Sequence, residues 1–405
     1  MKSWKLCLSI ILPLLLGGLC ACGGNKSSQD FSTAEESTTV ETTVESTDKP
    51  TMESTGAPAT ENTTEPSTEA MAETATDQLA TEQSIQEETD MTNENTNTTP
   101  VSLHGSLSVQ GTDLVDKNGE KFQLYGMSTH GIAWFPQYIN LEAFRTLRDD
   151  WNTNCVRLAM YTAENGGYCS DGDKEELKAL VKSGVEYASE LGMYVIIDWH
   201  ILSDQDPNAH KEEALSFFRE MSSAYADYEN VLYEICNEPN GYASWDSVKE
   251  YACEVIPVIR ENDSDAVILV GSPTWSQDIH QAAASPLEFD NIMYTLHFYA
   301  ATHKDDLRSR LESCVSEGLP VFISEFGMCD ASGNGANDFD QTLKWMELIE
   351  KYNISFFCWN LANKNESSSV LLPSSTKTSD WTQEDLSEAG KWIREYFINI
   401  SHSDS

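Results

Sequence analysis

Eight short, almost uninterrupted apolar runs alternate with segments of helical periodicity after residue 121, and this rhythm constrains the fold more than any other feature. Runs of this kind are typical of strands buried on both faces of a parallel sheet. Eight such repeats predict an α/β fold with a closed (β/α)8 TIM barrel, in preference to an open doubly wound sheet. No GxGxxG motif follows the first run, so a dinucleotide-binding fold is not indicated. The runs cover residues 122–130, 155–161, 193–200, 231–238, 267–273, 291–300, 320–327 and 354–362. Helical segments are predicted over residues 141–151, 174–192, 211–228, 244–262, 304–318, 339–352 and 381–397.

The stretch before the first run, residues 103–120, carries turn signals at Gly111 and at Asn118-Gly119. Short alternating segments around such signals are typical of a β-hairpin. We therefore expect a short N-terminal β-hairpin that caps one end of the barrel. The hairpin and the barrel together make one predicted domain, residues 101–405.

The first residues have the features of an export signal. Lys2 and Lys5 precede an apolar stretch that ends in small residues, which predicts a lipoprotein-type signal peptide over residues 1–21. The sequence Leu19-Cys20-Ala21-Cys22 resembles a bacterial lipoprotein box, and the resemblance implies cleavage before Cys22 and lipidation of that cysteine. Ordinary signal cleavage nearby is the alternative. We expect a secreted, cell-surface protein held to the membrane by its N-terminal lipid.

Residues 22–100 consist almost entirely of Ser, Thr, Glu, Ala, Asn and Pro, without apolar periodicity. Such a segment cannot bury enough apolar surface to offset its chain entropy, so we predict a disordered linker between the membrane and the domain.

The overall charge argues against one class of partner. The chain carries a net charge of −41, which repels phosphate backbones, so no nucleic-acid partner is expected. The histidines are scattered and no HExxH motif is present, so we predict no metal site and no cofactor. Three of the cysteines, Cys155, Cys236 and Cys358, lie inside apolar runs and are predicted to be buried core residues.

Polar and aromatic side chains lie at the ends of most of the apolar runs. A hydrophobic core does not require polar groups at these positions. The carboxyl ends of the strands of such a barrel meet at one face, and active sites lie there. Buried polar groups cost about 2–7 kcal/mol when they are left unpaired, so packing alone is a poor explanation. The residues at these ends are His130, Trp134, Arg157, Tyr161, His200, Asn237, Glu238, His297, Tyr299, Glu325 and Trp359.

Two of these residues are glutamates on different strands. Glu238 follows Asn237 at the end of the fourth run, and Glu325 ends the seventh. Two carboxyl groups about 5 Å apart are what a glycosidase that retains anomeric configuration requires. A low-dielectric pocket should raise the pKa of Glu238, and Arg157 and Tyr299 should keep Glu325 ionised.

The ordered set GMSTHGIAW, VRLAMY, IIDWH, YEICNEPNG, HFYA, FISEFG and WNLANKNESSS resembles the glycoside hydrolase family 5 endoglucanases, in their bacterial cellulase-like branch. The resemblance spans about residues 105 to 398 and makes residues 101–405 a catalytic domain. It implies a retaining endo-β-1,4-glucanase, a cellulase that acts through a covalent glycosyl-enzyme intermediate. It also implies that Glu238 is the general acid/base and that Glu325 is the nucleophile.

The same resemblance assigns the surrounding residues. It implies that Asn237 bonds the sugar 2-hydroxyl and that Arg157, His200, His297 and Tyr299 support the two carboxyl groups. Lys364 and Glu366, which follow the last run, favour a glucan over a mannan. The residues that match glucose-binding positions are His130, Trp134, Tyr161, Ala331 (through its backbone), Trp359, Lys364 and Glu366.

Other functions stay open at this point. The nearest are a β-mannanase, a xyloglucanase or a mixed-linkage glucanase of the same fold. A non-catalytic glycan-binding lipoprotein and an adhesin are alternatives from other classes, although a binding protein has no need of both glutamates. We expect a monomer whose partner is a cellulose-like β-glucan polysaccharide.

Overall fold

The computed structural model describes residues 98–400. The predicted signal peptide, the lipidation site at Cys22 and the predicted linker up to residue 97 lie outside the described residues. Helix α1 (Pro100–His104) begins inside the last residues assigned to the linker, with the Thr99 side chain as its N-cap. None of the helices between residues 98 and 400 combines the length and the apolar character needed to cross a bilayer.

The predicted hairpin is present and closes one end of the barrel. Strands β1 (Ser108–Gln110) and β2 (Asp113–Val115) pair antiparallel around a turn at Gly111. Leu107 and Leu114 belong to a buried cluster with side chains from the amino-terminal ends of the barrel strands. The opposite end, where the strands finish, is left open for a site.

Eight parallel strands close into the barrel, in the order β10-β3-β4-β5-β6-β7-β8-β9. This arrangement confirms the predicted (β/α)8 fold. The strands are β3 (Tyr125–Thr129), β4 (Cys155–Tyr161), β5 (Tyr194–His200), β6 (Val231–Glu234), β7 (Ile268–Val270), β8 (Ile292–Tyr299), β9 (Val321–Gly327) and β10 (Phe356–Leu361).

Helices follow the strands and cover the barrel with their apolar faces. Side chains of Asn140 and Asp173 cap the first two of them by accepting hydrogen bonds from free backbone N–H groups. The helices are α2 (Leu141–Asp149), α3 (Lys174–Glu190), α4 (Lys211–Ala224), α5 (Trp245–Arg260), α6 (Ile279–Ala284), α7 (Asp305–Ser316), α8 (Phe339–Tyr352) and α9 (Glu388–Ile400).

Two stretches differ from the pattern expected of the sequence. The last helical segment, predicted from residue 381, begins only at Glu388, because Thr382 and Asp385 close a turn in which the Thr382 N–H donates to the Asp385 carboxylate at 2.8 Å. Between β7 and β8, where no helix was predicted, the chain forms a short turn, Pro273–Ser276, and helix α6. The turn reaches the open face of the barrel, where the strands end.

One large core lies between the barrel and its helices, and Trp151, Trp199 and Trp345 are among its largest fully buried side chains. Cys236 and Cys358 belong to this core, Cys155 belongs to the cluster under the hairpin, and all three thiols are free. Packing of this kind fixes the strand ends, and therefore the side chains that the strands present at the open face.

Candidate active site

A cleft of about 550 Å³ lies at the carboxyl ends of the strands. Most of the predicted site residues line it: His130, Tyr161, His200, Glu238, His297, Tyr299, Glu325, Ala331, Trp359, Lys364 and Glu366. A wider concavity of about 930 Å³ lies at the other end of the barrel, near the first residues of β3 and β10. None of the predicted site residues that the structure describes lines it. The chemistry is therefore concentrated in the cleft.

Glu238 and Glu325 face each other across the floor of the cleft. One carboxylate oxygen of each residue and one ring nitrogen of His297 all lie within 4.8 Å of one another. The His297 Nδ1 atom is 3.0 Å from Glu238 Oε1, and its Nε2 atom is 2.9 Å from the Ser324 hydroxyl. Both glutamates are buried except where they border the cleft, so a ligand there would meet them with little intervening water.

The two oxygens of Glu325 have different surroundings. The Tyr299 hydroxyl donates a hydrogen bond of 2.8 Å to Oε1. Oε2 has no hydrogen-bond partner among the described residues, and Arg157 Nη1 lies 3.5 Å from it. One oxygen is thus held by a hydrogen bond, while the other is buried next to the Arg157 guanidinium beneath the cleft.

The electrostatics of the pair differ in part from the prediction. Burial raises the pKa of Glu238 to about 8, with the charges of Asp198 and Glu234 adding to the effect and Arg157 opposing it. Burial and the charge of Glu238 also raise the pKa of Glu325, to about 7. Arg157 and Tyr299 both lower the pKa of Glu325, as predicted, but burial has the larger effect and was not predicted for this residue. The pKa of Glu238 is still the higher of the two, which suits Glu238 as the acid and Glu325 as the nucleophile.

Arg157 anchors a network of charges beneath the cleft. Its guanidinium is fully buried and lies 2.7 Å from Glu234 Oε2 and 2.9 Å from Asp198 Oδ2. A third bond, of 2.7 Å, runs from Nη2 to the side-chain oxygen of Asn237. The sequence prediction missed the roles of Asp198 and Glu234. The signal was an acidic residue inside each of two apolar runs, and the structure pairs these two residues across β5 and β6.

Asn237 and His200 connect this network to the cleft. His200 Nδ1 lies 2.6 Å from Asp198 Oδ2, and burial lowers the pKa of His200 well below its usual value, so the ring is neutral and donates from Nδ1. The Asn237 amide nitrogen donates to the Ile201 carbonyl at 3.2 Å and lies 3.3 Å from His200 Nε2. Asn237 and Arg157 lie beneath the cleft rather than in its wall. The bond from Asn237 to a sugar hydroxyl stays a prediction.

Aromatic rings form one wall of the cleft. Trp359 stacks on His200, with ring centroids 5.2 Å apart and an interplanar angle of 15°, and its peptide bond to Asn360 is cis. Trp134 packs on Tyr161 at 4.7 Å and donates its indole N–H to the Asn165 carbonyl. With 38% of its surface exposed, Trp134 stands beside the cleft and offers an apolar face next to it.

A charged pair completes this wall. Lys364 Nζ lies 2.7 Å from Glu366 Oε2 and 3.2 Å from His130 Nε2. Burial works against ionisation of Glu366, but hydrogen bonds with His130 and Lys364 lower its pKa to about 2. The pair therefore presents fixed hydrogen-bonding groups to the cleft. The Ala331 N–H donates to the Thr302 hydroxyl at 3.0 Å, so a sugar contact through the Ala331 backbone would use its carbonyl.

Comparison with known proteins agrees with this geometry. Residues 115–365 match the family described as Cellulase (glycosyl hydrolase family 5). The chain belongs to glycosyl hydrolase family 5. It is 49% identical over 304 residues to Endoglucanase A of Butyrivibrio fibrisolvens, which covers 74% of this chain and 70% of that protein. It is 46% identical over 296 residues to the Endoglucanase of Clostridium saccharobutylicum, covering 72% of this chain and 65% of the relative.

Solved structures of the family have the same architecture. The catalytic domain of Thermobifida fusca endoglucanase Cel5A, solved in complex with cellotetraose, superimposes with a TM-score of 0.72 at 39% identity. The match covers 75% of this chain and 100% of that domain. This family 5 chain is accordingly a glycoside hydrolase on a (β/α)8 barrel.

The family 5 cleft is also lined by residues that the sequence prediction missed. Trp275 is the most prominent, since 46% of its surface is exposed although it is a large aromatic residue. The available signal was a tryptophan two residues after the fifth apolar run. It was not used because this run, unlike most of the others, has no polar residue at its end that indicated a site. The missed lining residues are Leu202, Trp275, Gln277, His303, Ser332 and Gly333.

Proposed function

We propose that this family 5 hydrolase is a retaining endo-β-1,4-glucanase that cleaves internal bonds of a cellulose-like glucan. The observation that carries the proposal is the approach of Glu238 and Glu325, with carboxylate oxygens within 4.8 Å, in an open cleft. Inverting glycosidases need about 6.5–9.5 Å between the carboxyl groups to admit a water molecule, and retaining enzymes need about 5–5.5 Å. The relatives named endoglucanases support the substrate class.

In the first step a carboxylate oxygen of Glu325 attacks the anomeric carbon of the sugar. A bond forms between that oxygen and the carbon while the glycosidic C–O bond breaks, and Glu238 gives its proton to the departing oxygen. Two neighbours fix the orientation of the carboxylate, since the Tyr299 hydroxyl donates to Oε1 and Arg157 Nη1 lies 3.5 Å from Oε2. The high pKa of Glu238 keeps its proton available until the leaving group needs it.

In the second step Glu238 changes from acid to base. Once Glu325 is esterified its negative charge is gone, and the repulsion that favoured protonated carboxyl groups weakens. Glu238, already without its proton, takes one from a water molecule, and that water displaces Glu325 from the anomeric carbon. Two displacements on the same carbon return the original configuration.

The cleft surface supports a glucan as the substrate. Trp359 and the neighbouring Trp134 offer flat apolar surfaces on which pyranose rings can stack. Lys364 and Glu366 lie beside them and offer a cationic donor and an anionic acceptor for hydroxyl groups. This combination favours a neutral polymer with equatorial hydroxyl groups, as in β-1,4-glucan.

The activity is tested by the release of reducing sugar from carboxymethylcellulose. The wild-type chain should be active, and Glu325→Gln should lose at least about a thousandfold of that rate because the nucleophile is gone. Parallel rates on mannan, xyloglucan and mixed-linkage glucan identify the preferred polymer. Binding of cellulose without turnover by the wild type would overturn the proposal in favour of a glycan-binding protein.

We propose further that the protein is held at the cell surface by lipid on Cys22. The proposal depends on the signal-like residues 1–21 and on the small residue Ala21 directly before the cysteine. Expressed in a bacterium with its leader, the wild type should partition into the membrane fraction. Cys22→Ala should release the enzyme in soluble form, and Cys20→Ala should not. Soluble wild-type protein would exclude the anchor.

A further inference from the structure

The turn Pro273–Ser276, which carries Trp275 into the cleft, has an unusual backbone. Thr274, Trp275 and Ser276 have positive φ angles of 59°, 53° and 54°. The left-handed region costs an L-residue about 1–2 kcal/mol, and runs of such residues are rare. Few backbone bonds close the turn: the Ser276 N–H donates to the Ser272 carbonyl at 3.0 Å, and the Gln277 and Asp278 N–H groups donate to the Pro273 carbonyl at 3.3 and 3.1 Å. Contacts with the rest of the fold help to hold this conformation.

Those contacts lead to the segment that bears Glu238. The Gly271 N–H donates to the Cys236 carbonyl at 3.1 Å, and the Trp275 N–H donates to the Pro239 carbonyl at 3.0 Å. The two segments are so close that a Cβ atom on Gly271 would lie 2.3 Å from the Cys236 oxygen. The turn and the acid/base segment are thus joined on both sides of Glu238.

A buried side chain makes the third connection. The Ser276 hydroxyl donates to the Asn237 carbonyl at 2.7 Å, and Asn237 directly precedes Glu238. The same hydroxyl accepts a bond of 3.2 Å from Thr295 on β8, the strand that also carries His297. Ser276 is completely buried. It therefore contacts both elements that orient Glu238 while it forms the end of the turn that presents Trp275.

The position of Trp275 in the cleft indicates what the connection between the turn and Glu238 does. In the barrel order β7 lies opposite β3, so Trp275, just after β7, and His130, just after β3, stand on facing walls of the cleft. If one sugar binds against the His130 wall, the sugar that departs when Glu238 donates its proton lies towards Trp275. The stacking ring and the acid must then keep a fixed distance.

We propose that Ser276 is a positioning residue, whose buried hydroxyl fixes the Trp275 ring relative to Glu238 for the sugar on the leaving-group side. This rests on the proposed glucanase function. Ser276 touches no substrate and acts through the Asn237 carbonyl and through the turn. Removal of the Ser276 hydroxyl should slow cleavage when the leaving group is a sugar, because that sugar needs both the Trp275 ring and the Glu238 proton. A leaving group that needs neither should be cleaved at nearly the wild-type rate.

The test compares two substrates in three proteins: wild type, Ser276→Ala and Ser272→Ala. Ser272 is the matched control because it directly precedes the turn, is equally buried and has a hydroxyl without a hydrogen-bond partner among the described residues. For cellotetraose, Ser276→Ala should lower kcat/KM about tenfold. For dinitrophenyl β-cellobioside, whose leaving group needs no proton and no sugar site, the change should stay within about twofold. Ser272→Ala should match the wild type on both substrates.

Equal losses on the two substrates, or no loss on either, would overturn the positioning role, as would equal effects of Ser272→Ala and Ser276→Ala. If Ser276→Ala does not fold, Ser276→Gly takes its place, since glycine adopts positive φ readily and also lacks the hydroxyl. A wild-type protein that cleaves neither substrate would instead reject the glucanase function itself.

Discussion

The Tyr299 hydroxyl donates a hydrogen bond of 2.8 Å to Glu325 Oε1, and Glu325 Oε2 has no such partner among residues 98–400. The hydrogen bond from Tyr299 fixes the orientation of the carboxylate that faces Glu238. It also lowers the pKa of Glu325, although burial raises that pKa by more. Tyr299 therefore affects both the geometry of the nucleophile and its ionisation.

The first prediction concerns Tyr299→Phe. Without the hydroxyl the pKa of Glu325 should rise, so the acidic limb of the kcat/KM profile should move to higher pH by roughly half a unit, and the maximal rate should fall about tenfold. The measurement is a pH profile on cellotetraose. Tyr294→Phe is the matched control, because Tyr294 is a buried tyrosine on the same strand and its hydroxyl accepts a bond from the Leu287 N–H. Coincident profiles for the two variants would reject this role.

The second prediction is the pH profile of the wild type. Activity requires Glu325 ionised and Glu238 protonated. Their pKa values of about 7 and about 8 predict a narrow bell for kcat/KM, which rises as Glu325 loses its proton and falls as Glu238 does. The two limbs belong to the coupled pair of carboxyl groups. A maximum near pH 5 with little activity at pH 7 would show that burial does not dominate the titration.

The third prediction links the acid to stability. Since its folded pKa is raised, protonated Glu238 persists in the native state up to about pH 8, and stability falls as pH rises from about 4.5 through that range. Glu238→Gln removes this loss. The variant should gain roughly 4 kcal/mol relative to wild type at pH 8 and under about 1 kcal/mol at pH 5, measured by urea unfolding at both pH values. An equal difference at the two pH values would contradict the raised pKa.

The fourth prediction concerns the buried guanidinium. Arg157→Met leaves Asp198 and Glu234 without their cation in the barrel interior, which should cost about 3–5 kcal/mol of unfolding free energy. Arg394→Met is the control, since Arg394 pairs with Asp150 near the surface and such pairs contribute about 0–1 kcal/mol. Urea unfolding followed by tryptophan fluorescence compares the two variants. A similar small loss in both would mean that the buried network does not stabilise the barrel.

The sequence predicted those features that depend on local pattern. The apolar runs located all eight barrel strands, and β4 has the bounds expected, because a strand buried on both faces is apolar throughout. The polar residues at the ends of the runs located the cleft, since parallel strands deliver their last residues to one face. His130 and Lys364 are far apart in the chain, yet the structure places them 3.2 Å apart.

Features that depend on tertiary context were missed. The pairing of Asp198 with Glu234 follows from strand register, which no single run specifies. The left-handed turn that exposes Trp275 contradicts the local preferences of its residues and is selected by contacts with the Glu238 segment. The raised pKa of Glu325 depends on the balance between burial and the 3.5 Å distance to Arg157, and sequence carries neither quantity.

The most direct test of the account is to trap the covalent intermediate. A 2-deoxy-2-fluorocellobiosyl fluoride should react with the wild-type enzyme, because its leaving group departs easily while the fluorine at carbon 2 slows the second displacement. Peptide mass spectrometry should then find one fluorocellobiosyl group on the peptide that contains Glu325, at Glu325 itself. A label on Glu238, or turnover of the reagent to an α-configured product without any label, would contradict the assignment of Glu325 as the nucleophile.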